Sequence, residues 1–185
     1  MKYQLVALLD EESRNKVEGI QRQVCKKYRV YKSNPSIYIS LNTISNPDLE
    51  KLDKVITKVL SPYKKFKVNI LNEVCIAQDA KQTGIAIDKK GYISRIARGL
   101  RDTMMLHEFI LNCTNDNQDS IDLIISLANC NFNIKKAANH SPLLLNKSLP
   151  REESLNFAKI DRIELWKLNN NKKDSVVKVF NLKEY

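Results

Sequence analysis

Two prolines bracket the most constrained stretch of this chain. Between Pro47 and Pro62, Leu49, Leu52, Val55, Ile56, Val59 and Leu60 recur at steps of three and four. Proline suits the first helical turn, where the amide it lacks would have no intrahelical partner, and it cannot continue a helix that runs into it. Ser45 and Asn46 stand just ahead as caps. The spacing predicts a helix over 47–60. On both sides the apolar period drops to two: Ile37, Ile39 and Leu41 alternate with Tyr38, Ser40 and Asn42, and 66–71 reads Phe-Lys-Val-Asn-Ile-Leu. Those segments are strands with two distinct faces. A strand–helix–strand unit of this kind restricts the chain to folds in which sheet packs against helix.

The rest of the chain extends the pattern. Residues 3–9 form a short apolar strand, and the acids Asp10, Glu11 and Glu12 open a helix over 11–28 that carries Val17, Ile20, Val24 and Tyr28 on one face. Residues 84–88 read as a strand and Tyr92–Met105 as a helix, with Ile93, Ile96, Leu100 and Met104 facing inward. Arg95, Arg98 and Arg101 line a neighbouring face, which suits either a solvated helix surface or a phosphate contact. Residues 112–119 are a polar loop. Ile121, Leu123, Ile124, Ile125 and Leu127 suggest a widely buried helix over 120–130, and 131–141 has no strong period. Pro142–Leu145 reads as a short strand. Residues 157–168 and 175–182 are longer strands joined by a polar turn at 169–173, a hairpin signal. The mixture with a terminal hairpin gives an α+β fold.

Composition narrows the function. With 43% hydrophobic and 28% charged residues over 185 positions, the chain has enough apolar material for a core without metal or disulfide staples. Lys and Arg number 31 against 21 Asp and Glu, for a net charge of +10. That excess favours RNA, DNA or an anionic surface as partner, or else reflects a Lys- and Asn-rich proteome. No segment approaches the roughly 18–20 apolar residues of a membrane helix, and the apolar run at the start meets acids too soon for a signal peptide. Cys25, Cys75, Cys113 and Cys130 are scattered without a Cys-x-x-Cys pair. They read as reduced thiols, so the expected location is the cytoplasm, with neither disulfide framework nor zinc site.

The order of elements, from Tyr3–Leu9 through Asp-Glu-Glu and a helix, the Pro35-led strand, the 47–60 helix and a Phe-Lys-Val strand, resembles the first lobe of the 2H phosphoesterase superfamily. That group includes the 2′-5′ RNA ligase-like proteins and RNA 2′,3′-cyclic phosphodiesterases. Phe157–Leu168, the polar turn and Val176–Leu182 resemble its closing hairpin. The resemblance covers nearly the whole chain, although 106–141 matches poorly, as an insertion would. It implies a single bilobal, pseudo-symmetric domain over 1–185, with antiparallel sheets lining a central groove and helices outside. Each lobe carries one His-x-Thr/Ser motif, whose period of two aims both side chains into the groove. One imidazole serves as general base and the other as general acid, with hydroxyls on the phosphate, and neither metal nor cofactor takes part.

This sequence departs from that pattern where the chemistry lies. Its two histidines are His107, followed by Glu108-Phe109, and His140, followed by Ser141-Pro142. At the first motif position the alignment sets Tyr38-Ile39-Ser40-Leu41, and at the second Pro142-Leu143-Leu144-Leu145. Tyr38 and Ser40, Leu143 and Leu145 then occupy the motif positions, with His140 as a displaced fallback. Leucine transfers no proton, and a phenol of ordinary pKa about 10 is a poor base at neutrality. A degenerate member is expected, binding RNA or a nucleotide phosphate through Tyr38, Ser40, Asn42 and Lys147, with Lys26, Lys27, Arg29 and Lys32 interleaved with Tyr28 and Tyr31 as a basic rim. Two alternatives stand beside it. One is a metal-independent cyclic phosphodiesterase using Tyr38, Ser40 and His140. The other is an interaction protein whose groove is filled by the apolar 143–145 run and engages a protein partner.

Overall fold

The computed structural model describes residues 1–30, 36–77, 82–112, 123–140, 143–144, 155–169 and 174–184. In chain order they form β1 (Lys2–Leu9), α1 (Glu11–Lys27), β2 (Tyr38–Ser45), α2 (Leu49–Leu60), β3 (Phe66–Ile76), β4 (Gln82–Ile87) and α3 (Tyr92–Leu106). Then come β5 (Ile110–Leu111), β6 (Ile124–Asn129), α4 (Phe132–His140), β7 (Leu143–Leu144), β8 (Phe157–Leu168) and β9 (Ser175–Asn181). The fold is α+β, as the alternation of periods implied.

Helix ends follow local chemistry. Asp10 caps α1, its carboxylate accepting from the Ser13 amide at 2.9 Å, and Glu11 and Glu12 sit in the first turn, where the helix dipole favours them. α2 starts at Leu49, later than the prolines suggested, because its cap is Asp48: that carboxylate accepts from the amides of Glu50 and Lys51 at 3.0 and 3.2 Å. Asn46 turns the chain into it through a positive φ of 45°.

The strands form one antiparallel sheet in the order β7-β3-β4-β6-β2-β1-β8-β9, with β5 on β2. The first half of β3 also pairs with the start of β8, Phe66 to Ile160 through Asn69 to Phe157, so the pairing closes on itself. The centre of the order is symmetric. In each half of the chain a strand (β1 or β4) leads through a helix (α1 or α3) to an inner strand (β2 or β6). The two inner strands meet antiparallel at Ile39 and Ile125.

One face of the sheet carries the main core. Leu5 and Ala7 of β1, Ile39 of β2, Ile85 of β4, Ile125 of β6 and Ile163 of β8 pack in one cluster with Val17, Ile20 and Val24 of α1, Leu52 and Ile56 of α2, and Ile93, Ile96, Leu100 and Met104 of α3. Val6, Leu8, Tyr38 and Trp166 form a small separate cluster on the other face.

Two expectations fail. Residues 124–129 are a strand, not part of a helix. β6 lies between β4 and β2, and Ile124 through Ala128 are all buried. A strand buried on both faces reads as a continuous apolar run and loses the period-two signal. The unpatterned 131–141 segment contains α4, whose first turn is capped by Asn131 accepting from the Ile134 amide at 2.9 Å. The polar 113–122 segment lies outside the described residues. Among those described, no helix is long and apolar enough to cross a membrane.

Candidate functional site

The face opposite the helices is built around the β2–β6 junction. Tyr38 pairs with Leu8 and Ser40 with Val6, so both side chains join the small cluster's face. The register then shifts between Leu5 and Val6, leaving Leu41 as an extra residue in β2. A bulge of this kind re-aims the side chains beyond it. Asn42 therefore pairs with Leu5, and its amide donates to the Ala97 carbonyl of α3 at 3.3 Å. The alternation that would place Asn42 beside Tyr38 and Ser40 is broken there, and Asn42 faces the helices.

On the inner strand of the other half, Ile124-Ile125-Ser126-Leu127 repeats Tyr38-Ile39-Ser40-Leu41 at three of four positions. Ile39 and Ile125 are partners, so the two segments are symmetry mates in the sheet. Ser126 turns toward the same face as Ser40. Its hydroxyl donates to Gln82 Oε1 at 3.2 Å, and Gln82 Nε2 donates to the Tyr38 hydroxyl at 2.8 Å. Gln4 Nε2 donates to Ser40 Oγ at 2.8 Å. Ser126 is only 1% exposed, whereas Gln4, Ser40 and Gln82 are half-buried.

β8 completes this face. Trp166 pairs with Gln4, Glu164 with Val6 and Arg162 with Leu8. The Trp166 ring meets Tyr38 edge-on, centroids 5.0 Å apart at 68°. Its indole N–H donates to Glu164 Oε2 at 2.7 Å, and Arg162 Nε donates to Glu164 Oε1 at 2.8 Å. Arg162 also reaches Asp161 at 3.0 Å, which in turn holds Lys65 at 2.7 Å. The bond to Glu164 leads in raising the Arg162 pKa above its usual value. At Asp161, burial opposes ionisation, but the bonds from Lys65 and Arg162 outweigh it and hold the carboxyl below the usual range. Among the described residues this face offers hydroxyls, amides, one buried carboxylate and one guanidinium.

His107 does not join it. His107 caps the end of α3, its amide bonded to the Thr103 and Met104 carbonyls and its own carbonyl accepting Lys51 Nζ at 3.0 Å. His140 is the last residue of α4, and its side chain lies outside the described ones. The strand that meets β2 is β6, not the 142–145 segment. Leu143 sits in β7, which pairs with β3 through Val74 at one end of the sheet. Three strands separate β7 from β2, roughly 19 Å at the usual strand spacing. Leu145 and Lys147 lie outside the described residues, as do Tyr31 and Lys32 of the expected basic rim. The rest of that rim ends α1: Lys27 lies over the Tyr28 ring at 5.4 Å, and Asn131 ties the carbonyls of Tyr28 and Arg29 to the start of α4. Burial pushes the Cys25 thiol up, away from the thiolate a nucleophile needs.

The fold has counterparts among known structures. This chain superposes on E. coli LigT complexed with NADP+ with a TM-score of 0.60, over 99% of this chain and 98% of that one. The chain has the fold of LigT. A phosphoesterase matches equally well at 0.60, the Thermus thermophilus protein TT0787 at 0.58 over 100% and 99% of the two chains, and Kluyveromyces marxianus Usb1 at 0.56 over 98% and 97%. Identities are 10% to LigT, the phosphoesterase and Usb1, and 12% to TT0787. At that level the likeness speaks to the fold alone. No protein-family model matches the sequence, and no curated protein matches it.

Sequence reasoning missed Gln4, Gln82, Ser126, Glu164 and Trp166. The Ile-Ser-Leu shared by 39–41 and 125–127 was the available signal for Ser126. The other four carry no motif, and only strand register brings them together.

Proposed function

We propose that this LigT-like protein binds RNA or a nucleotide phosphate and does not carry out two-imidazole phosphodiester chemistry. The observation that supports this reading is the symmetric pair of inner-strand positions. A groove-facing imidazole in each half is what proton transfer on both sides of a phosphate requires. On this reading the corresponding positions are Tyr38 with Ser40 and Ile124 with Ser126, which flank the paired Ile39 and Ile125. Isoleucine carries no proton, and the Tyr38 hydroxyl accepts from Gln82.

What remains suits hydrogen bonding to a phosphate or sugar. Gln4, Ser40 and Gln82 are half-buried, and Arg162 commits part of its five-donor fork to Glu164 and Asp161 while staying partly open to solvent. The Tyr38 ring meets Trp166 edge-on and is only 7% exposed, which leaves little surface for stacking. A net charge of +10 supplies long-range attraction for a polyanion.

A second reading rests on the apolar cluster. Val6 is fully buried and Tyr38 only 7% exposed on the very face that a ligand would enter. A groove filled in this way suits an interaction protein better than a phosphate site.

One set of assays separates the readings. Purified protein is incubated with 2′,3′-cyclic nucleotides and 2′-5′-linked oligonucleotides, and RNA binding is measured at two salt concentrations for the wild type and Gln82→Ala. The expected result is no turnover, with binding that weakens steeply as salt rises and is reduced in the variant. Turnover that drops in Tyr38→Phe or His140→Ala overturns the non-catalytic reading. Absence of both turnover and binding favours the filled-groove protein.

A further inference from the structure

We propose that the solvent side of α3 carries a second polyanion site, a docking surface for the phosphate backbone of a nucleic acid. It faces away from the groove and does not depend on the reading of the groove.

The site is a depression of about 460 Å³ lined by Lys89, Lys90, Gly91, Ser94, Arg95, Arg98, Gly99 and Asp102. Ile93, Ile96, Ala97 and Leu100 bury the opposite side of the same helix in the main core, which fixes the direction in which Arg95 and Arg98 project. The two arginines lie one turn apart, about 4.5 Å along the axis, and the two lysines come from the turn ahead of the helix. All four cations are exposed.

Exposed cations on a helix are ordinarily solvated or engaged with i+4 carboxylates. Here Lys90, Arg95 and Arg98 make no ion pair among the described residues. Of the acids nearby, Asp102 lies 3.8 Å from Arg101, and Asp88 accepts from the Lys90 backbone amide at 3.0 Å and is not part of the lining. Lys90, Arg95 and Arg98 thus share one concavity, alongside Lys89, with a single carboxylate in its lining. Like charges held together cost free energy unless an anion neutralises them.

The floor is open as well. Nothing lies within 4 Å of where a side chain at Gly91 would begin, and at Gly99 the nearest atom is Val59 Cγ1 at 3.8 Å. Gly91 thus leaves backbone bare at the mouth of the depression. The lining contains no large apolar side chain to enter a bilayer; Tyr92 beside it is 54% exposed, and its ring packs edge-on or tilted against Tyr63 and Phe66, centroids 6.3 and 5.9 Å away. An interfacial membrane site needs such an anchor beside its cations. A lining of cations with no aromatic side chain of its own suits the phosphate oxygens that RNA and DNA share, so strands of the same sequence and length should be bound alike.

The test is fluorescence anisotropy with short single-stranded RNA and DNA of the same sequence, between about 50 and 200 mM salt. Wild type is compared with Arg95→Gln/Arg98→Gln and with Lys135→Gln/Lys136→Gln, an exposed pair of equal charge on α4. A single-strand phosphate contact contributes about 0.7 to the salt slope, which is roughly fivefold in affinity at 0.1 M. The α3 variant should therefore lose about 25-fold near 0.1 M salt and about 1.4 of the slope on both nucleic acids. The α4 variant should stay close to wild type. Equal losses in the two variants, no binding by the wild type, or tighter binding to phosphatidylserine vesicles than to either strand would each overturn the proposal. Gln82→Ala in the groove leaves the α3 contribution unchanged, so failure of either site is seen separately.

Discussion

Gly84 brings β4 close against β6, and replacing it with alanine tests the described register of the two strands. Gly84 pairs with Ser126. A methyl group there would begin 2.3 Å from the Ile125 carbonyl oxygen, and 3.0 Å from both its carbon and Ile124 Cδ1. Carbon contacts settle near about 3.5 Å, so the overlap is about 1 Å, and it falls on backbone that no rotamer change can move. Two effects oppose each other. Gly84 does not have a positive φ, so alanine fits its backbone and would stabilise the fold by about 0.4–1 kcal/mol through a less flexible unfolded chain. Overpacking costs about 1–3 kcal/mol, at the upper end where strands must part, and a weakened ladder hydrogen bond adds about 1. Strain wins, with a net loss of about 2–3 kcal/mol. For a chain of this size that lowers Tm by roughly 5–10 °C. Thermal and urea unfolding of Gly84→Ala, monitored by circular dichroism, measure it. A variant as stable as wild type, or more so, refutes the reasoning, because the entropy term alone would then be acting and β6 would not lie so close.

The polar contacts around Tyr38 and Trp166 and the packing of α2 set further expected outcomes. Glu164→Ala leaves the buried Trp166 N–H without its acceptor and removes the carboxylate that holds Arg162. It should cost about 2–3 kcal/mol in urea unfolding, below the loss for a fully buried pair because Arg162 is 35% exposed. Asp161 has a depressed pKa, so its contribution is present above the unfolded value of about 3.9 and is lost as pH falls through the folded one. Asp161→Asn should therefore destabilise at neutral pH and flatten the acid limb of a stability–pH profile; a limb as steep as wild type would exclude Asp161 as its source. Tyr38→Phe removes the acceptor of Gln82 Nε2 and should cost about 1 kcal/mol, with a smaller additional effect when Gln82→Ala is already present. Leu52→Ala, in a fully buried position of α2, should cost about 2–5 kcal/mol by calorimetry.

Much of the architecture was legible because local chemistry acts over a few residues. The stripe from Leu52 to Leu60, the acids after Asp10 and the hairpin around 157–181 needed only neighbours in sequence to be read, and the resemblance to 2H phosphoesterases came from their order. The exceptions have physical causes. Ile124 to Ala128 are buried on both faces, so the alternation that marks a strand is absent. Asp48 displaced the caps expected at Ser45 and Asn46, since any short side chain with a suitably placed oxygen satisfies the same amides.

The site divides along the same line. Sequence alone determined that this chain has few imidazoles to offer, that neither lies in a His-x-Thr/Ser pattern, and that Tyr38 and Ser40 share a strand. Tertiary structure decided which strand faces them. Pairing is a long-range choice made by the whole sheet, and it brought Ile124 and Ser126 to the junction while leaving Leu143 at the edge. One extra residue at Leu41 turned Asn42 away from the face that Tyr38 and Ser40 share, because every side chain beyond a bulge changes face. The sequence set the chemical inventory, and register decided which of those groups meet.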